Sequence, residues 1–149
     1  MDPKDKVALV TGAGKRVGRS LAIALGDTGA RIAIHYRNSQ KDAIKTAEII
    51  NSMGSEAVCF QADLEDTKQV KALASDIQKQ LGPINILVNN ASVFDKISMQ
   101  ALVEHVWDRH FAINVRAPFL LAQAMQSQLS KDSAGKIINI NDWKTARPT

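Results

Sequence analysis

Three glycines, Gly12, Gly14 and Gly18, stand between the apolar run Val7 to Val10 and a stretch in which Leu21, Ala22 and Leu25 recur at helical spacing. Glycine lets a backbone turn tightly and approach a pyrophosphate, and the helix behind it offers N-terminal N–H groups and the positive end of its dipole. The chemistry this spacing allows is nucleotide-phosphate binding; a plain strand-to-helix turn is the alternative. The dinucleotide fingerprint G-x-G-x-x-G would set its third glycine at position 17, which is Val17. The text of that motif is therefore not met, although its physical requirements are. Lys15 and Arg16 stand inside the turn and add positive charge to it.

Thr11-Gly12-x-x-x-x-x-Gly18 resembles the glycine-rich motif of the short-chain dehydrogenase/reductase family, TGxxx(G/A)xG, with Arg16 where that form prefers a small residue. The departure, TGA-x-KR-x-GRS, is similar to the pteridine-reductase branch. His35-Tyr36-Arg37-Asn38-Ser39, at the end of a second apolar run, resembles the same branch. An NAD-preferring protein of this kind puts an acid near Tyr36 for the ribose 2′-hydroxyl. No acid is there, and Arg37, Lys15 and Arg16 can gather where a 2′-phosphate would sit. A solvated basic turn is the alternative. The resemblance implies NADP(H) as cofactor. It would be held by Gly12, Lys15, Arg16, Val17 and Gly18, by His35 to Ser39, by Asp63 with its neighbours Ala62 and Leu64, and by Asn90, Ala91 and Ser92.

Each later position carries two readings. Asp63 matches the family's acid beside the adenine ring, while a helix cap is its rival because a helical pattern begins nearby. Asn89-Asn90-Ala91-Ser92 matches the family's NNAG motif with serine in place of glycine, again as in pteridine reductases. Asn89 is expected to be structural, and Asn90 to Ser92 to line the cofactor. Phe94 falls where that branch stacks an aromatic on the flat pterin, so Ser92 and Phe94 are candidate substrate contacts; core packing is the alternative for Phe94. Asn114 matches the family's helical asparagine that helps hold a proton-relay water. Pro118 has no N–H to offer the carbonyl of Asn114, so that carbonyl can hold such a water, or the proline simply kinks a long helix. Asp142 stands where most members carry the catalytic serine and where pteridine reductases use aspartate. A carboxylate buried beside a nicotinamide would have its pKa raised and could donate a proton or orient the substrate; a surface turn is the alternative. Asn114 and Asp142 are the candidate catalytic residues.

The family's Tyr-x-x-x-Lys motif has no counterpart. The sole tyrosine is Tyr36, four residues ahead of Gln40. The resemblance thus implies the N-terminal portion of an enzyme, with C-terminal strands, a substrate lid and a main oligomer interface lying beyond Thr149. Little or no turnover is expected of the 149-residue chain alone, and a dimer or tetramer of the complete protein.

Positioning these residues requires strands that alternate with helices. Lys6 to Thr11, with its apolar run Val7 to Val10, reads as a buried strand, and Arg31 to Tyr36, Glu56 to Phe60, Ile84 to Val88 and Lys136 to Ile140 read as four further strands of a parallel sheet covered on both faces. Between them lie helical patterns closed by Gly29, Gly54 and Gly82-Pro83, and a long one from Val103 to Leu129. Ser39 with Asp42 makes a capping-box-like helix start. The expected fold is α/β, a Rossmann-like doubly wound parallel sheet in three α/β/α layers, with strands in the order 3-2-1-4-5 and residues 1–149 forming one dinucleotide-binding domain. In such a sheet the candidate residues all lie outside the carboxyl ends of the strands and converge.

Composition bounds the rest. Hydrophobic residues at 45% and charged residues at 23% are ordinary for a globular domain. No run of about 18 apolar residues exists to span a bilayer, and MDPKDK is no signal peptide, so the expected location is the cytoplasm, away from membranes. A net charge of +4, spread without a basic block, together with 5% aromatics argues against nucleic-acid binding. Cys59 is the only cysteine, expected as a buried strand thiol, and no Cys/His cluster has metal spacing. The leading reading is an NADP(H)-dependent reductase passing hydride to a carbonyl or imine of a small molecule, a pteridine among them. A 3-oxoacyl or sugar-alcohol reductase is the runner-up, and a noncatalytic nucleotide-binding module the rival from another class. An unrelated Rossmann-like protein such as a methyltransferase would leave NNAS, INV and ININD unexplained.

Overall fold

The computed structural model describes residues 1–131 and 133–142. Its elements follow the expected alternation: β1 (Val7–Val10), α1 (Arg16–Asp27), β2 (Arg31–Tyr36), α2 (Gln40–Ser52), β3 (Ala57–Gln61), α3 (Thr67–Leu81) and β4 (Ile84–Asn89). A 3₁₀ turn (Met99–Ala101) then leads to α4 (Glu104–Phe111), a π-helical turn (Ala112–Arg116), α5 (Ala117–Gln128) and β5 (Lys136–Asn139). The five strands form one parallel sheet in the expected order β3-β2-β1-β4-β5. Val10 pairs with both Ile34 and Val88, so the carboxyl ends of β1, β2 and β4 come level.

Alternation along the strands divides the core in two. Ala8, Val10, Ile32 and Ile34 face one side and pack with Ala22, Ala43 and Ile50 of α1 and α2. Leu9, Ala33 and Leu87 face the other and pack with Leu73, Ile77, Leu121 and Met125 of α3 and α5. Successive side chains of a strand point to opposite faces, which is why β1 has to be apolar throughout.

Four local expectations are corrected. The first helix begins at Arg16 and not after Gly18, so Gly18 lies inside its first turn. Ser39 occupies the N-cap of α2 but makes no side-chain cap bond, and Asp42 turns instead to Lys15. The long helix is interrupted by the π turn just before Pro118, because a residue without an N–H cannot continue the ladder and the turn widens. β5 forms the far edge of the sheet, and all four of its residues are exposed, so the covering of both faces stops at β4. Among the described residues no helix is long and apolar enough to cross a membrane. Cys59 is half-buried on β3, and burial pushes its thiol pKa up.

Candidate functional site

The turn after β1 is held from below. Gly12 has φ +65°, a left-handed conformation that suits glycine. Its N–H donates to His35 Nδ1 at 3.1 Å, and the next amide, of Ala13, donates to the His35 carbonyl at 2.9 Å. A Cβ on Gly18 would lie 2.5 Å from Asn90 Nδ2 and run into the Gly12 carbonyl, so only glycine fits where the turn enters α1. Lys15 is the N-cap of α1 and supplies no side-chain cap, and the first helical turn holds no acid. The first amides of a helix have no intrahelical acceptor, and here no side chain neutralises them. They offer an anion site. Arg16, the first residue of the helix, has φ +50°, a left-handed backbone that a residue with a Cβ adopts at a cost.

Above this turn lies a cavity of about 550 Å³. Every residue expected to hold the cofactor lines it except Ala62, and Val93 and Ile113 join the wall. Ala62 is buried and acts through its backbone: its N–H donates to the Tyr36 carbonyl at 3.1 Å and its carbonyl accepts from His35 Nε2 at 3.1 Å. His35 is 2% exposed, with both ring nitrogens used; burial holds its pKa down at about 4, while the Ala62 hydrogen bond and the Asp63 charge pull it upward. Tyr36 is likewise buried, in the core layer facing α1 and α2.

The three cations do gather at this cavity, but two are already paired. Lys15 Nζ lies 3.0 Å from Asp42 Oδ2, and Arg37 Nε lies 2.9 Å from Asp63 Oδ2. Arg16 has no ion-pair partner among the described residues. Asp63 is not the helix cap. Asp66 accepts from Lys68 N at 2.7 Å and Gln69 N at 3.4 Å at the start of α3, and its pKa is held low first by the Lys68 amide and then by the Gln69 side chain. Asp63 instead accepts from Glu65 N and donates its own N–H to Gln69 Oε1.

A second cavity of about 630 Å³ continues the first, sharing Val17 and Asn90 to Val93 and adding Asn89, Phe94, Asn114, Val115, Pro118 and Asn139 to Asp142. Its frame is a set of cross-strand stitches. Thr11 Oγ1, almost fully buried, accepts from Asn90 N and Ala91 N, each at 2.9 Å. The Asn90 amide returns a bond to the Thr11 carbonyl at 2.8 Å, so Asn90 both lines the cavities and fastens β4 to β1. Asn89 is structural as expected: its Nδ2 donates to Asn139 Oδ1 at 2.9 Å and joins β4 to β5. Its Oδ1 is buried without a partner among the described residues.

Asn114, in the π turn, clamps Val93 by both edges, donating to its carbonyl and accepting from its N–H, each at 3.0 Å. On the other side of Phe94, the Asp95 N–H donates to His110 Nε2 at 3.2 Å and the Asp95 carboxylate takes Arg109 at 3.0 Å. Phe94 therefore projects from a loop fixed at both neighbours, and at 71% exposure it is not a core residue. Asp142 reaches this cavity from the end of β5 but is exposed, so the expected buried carboxylate is not found. The physical reason is the open edge at β5, which leaves nothing described to cover it.

Sequence reasoning missed Thr11 as the stitch, Asp42 as the partner of Lys15, and Arg109 and His110 as supports of the Phe94 loop. Thr11 was legible as part of the glycine motif; the others depend on a fold bringing distant segments together.

The family profile for short chain dehydrogenases matches residues 6–147. A short-chain type dehydrogenase/reductase of Picea abies is 33% identical over 96% of this chain and 56% of its own length. The 3-oxoacyl-[acyl-carrier-protein] reductase FabG of Staphylococcus aureus is 32% identical over 91% of this chain and 55% of its own. Among solved structures, FolM alternative dihydrofolate reductase 1 from Brucella canis, complexed with NADP, superposes with a TM-score of 0.93 at 35% identity, covering all of this chain and 60% of that one. This chain thus spans little more than half the length of the relatives it matches. The profile match runs over nearly the whole chain, and the glycine turn, the NNAS stitch and the strand order agree with it: the chain belongs to the short-chain dehydrogenase/reductase family.

Proposed function

We propose that this chain is the dinucleotide-binding portion of an NADP(H)-dependent reductase that passes hydride to a carbonyl or imine. One observation carries the reading: the uncapped start of α1 lies under a cavity whose rim brings Lys15, Arg16 and Arg37 together, with no acid at the end of β2. The α1 amides would take the pyrophosphate. Arg37 and Arg16 would take a ribose 2′-phosphate, Asp63 would meet the adenine, and Asn90 to Ser92 would line the nicotinamide end. The cofactor supplies the hydride, this chain's residues would bind and orient it, and the complete protein would supply the proton. The NADP found in the FolM relative supports this choice of cofactor.

A pteridine is the substrate this reading favours. Phe94 is an exposed ring on a clamped loop, suited to stacking on a flat heterocycle, and Asp142 stands across the same cavity to hold a proton or orient the substrate. Asn114 would keep the loop in place and, with Pro118, hold a relay water at its backbone carbonyl. The likeness to FabG favours a second reading, reduction of a 3-oxoacyl thioester, in which Phe94 packs on an acyl chain. The complete protein would be a cytoplasmic homo-oligomer. The supports are a lone cysteine, which suits a reducing compartment, and the exposed apolar line Trp107, Phe111, Val115 and Phe119 along α4 and α5.

Steady-state NADPH oxidation by the complete protein, with a dihydropteridine and with a 3-oxoacyl thioester, separates these readings. The first predicts turnover with the pteridine that Phe94→Ala reduces chiefly through a higher KM. Turnover with the thioester alone would replace it by the second, and no turnover with any carbonyl or imine would leave a nucleotide-binding module.

A further inference from the structure

His35 ties three segments together. Its Nδ1 accepts the Gly12 N–H, so that nitrogen carries no proton, and its Nε2 therefore donates to the Ala62 carbonyl. The main-chain carbonyl of the same residue accepts from Ala13, so two successive amides of the glycine turn end on one residue of β2. Their direction leaves the later amides, at the start of α1, as the ones presented to an anion.

We propose that His35 is a positioning residue of the phosphate site: its neutral ring, bridging Gly12 and Ala62, sets where the glycine turn places the start of α1 against a dinucleotide. This rests on the reading of the cavity as a dinucleotide site. Protonation of Nδ1 would turn two donors toward each other and release the turn. Burial opposes that protonation and holds the pKa at about 4. The charged groups around the ring are mostly paired: Asp63, just beyond Ala62, with Arg37, and Lys15 with Asp42. Arg16 stands in the turn itself and Tyr36 follows on β2. On β3, His35 lies opposite Phe60, and Cys59 pairs with Ile34.

The test compares the wild type, His35→Leu and His35→Asn for binding of NADP⁺ and of adenosine 2′-phosphate, which lacks the pyrophosphate. An asparagine oxygen can stand in for Nδ1 as an acceptor and does not titrate. Losing one such hydrogen bond corresponds to about a tenfold loss of affinity. His35→Leu should therefore bind NADP⁺ about tenfold more weakly while holding adenosine 2′-phosphate within about twofold, and His35→Asn should recover most of the loss. As pH falls toward 4, wild-type affinity should drop relative to His35→Asn measured in the same buffer. Equal NADP⁺ affinities in all three proteins, or parallel losses of both ligands, would overturn the proposal for His35 alone. A wild type that binds neither ligand would overturn the dinucleotide reading and this inference with it.

Discussion

Replacing Arg16 by glycine separates stability from cofactor choice, because the two effects have opposite signs. Arg16 has φ +50°, and a left-handed backbone costs a residue with a Cβ about 1–2 kcal/mol. Glycine removes that strain but loses about 1 kcal/mol in chain entropy. The net change in folding is therefore between zero and about 1 kcal/mol of added stability, or up to about 4 °C in Tm for a chain of this size. The guanidinium, by contrast, is the cation at the cavity with no ion-pair partner among the described residues, so no carboxylate has to be displaced before it meets a 2′-phosphate. A hydrogen bond to a charged group contributes about 1.5–3 kcal/mol. Arg16→Gly should thus weaken NADPH binding by about 10- to 100-fold and leave NADH within about twofold. Calorimetric titration with both cofactors, beside a urea unfolding curve, reads both effects. An unchanged NADPH affinity, or an equal loss for NADH, would refute the role given to this side chain; a clear loss of stability would refute the strain.

Asp42→Asn frees Lys15 from a solvent-exposed pair worth about 0.2–1 kcal/mol, so NADPH affinity measured by titration should rise by about 1.4- to fivefold, less at high salt. Thr11→Val removes the acceptor for two amides, of Asn90 and Ala91; leaving them unsatisfied should cost about 3 kcal/mol in urea unfolding. Acid should destabilise the fold through His35. The unfolded imidazole takes a proton below about 6.5, whereas the folded one resists until about 4, so stability present above pH 6.5 is lost as the pH falls to 4. That interval amounts to about 3 kcal/mol, and urea midpoints of His35→Asn should lack this part of the decline.

Most of the fold was legible because it rests on local signals. The apolar run Val7 to Val10 is buried on both faces, as are Ile84 and Ile86 to Val88 of β4, and glycines stop the helices between them. The site was legible as loops, since a parallel sheet brings the carboxyl ends of its strands together. What stayed hidden was pairing across distance. Nothing in the spacing of Asp42 announces that it faces Lys15, and the hydrogen bonds from His35 to Gly12 and Ala62 depend on strand register. The π turn escaped because the helical apolar pattern runs on through it, and only Pro118 hints at a break. The exposure of Asp142 reflects the open edge at β5, which a strand pattern alone does not reveal.

The central claim is that the cavity above the glycine turn takes NADP(H) in preference to NAD(H). Paired calorimetric titrations of the purified protein with NADPH and NADH test it directly. The account predicts a dissociation constant for NADPH at least about tenfold below that for NADH, the least expected of one charged hydrogen bond to the extra phosphate. Equal affinities, or tighter binding of NADH, would contradict it.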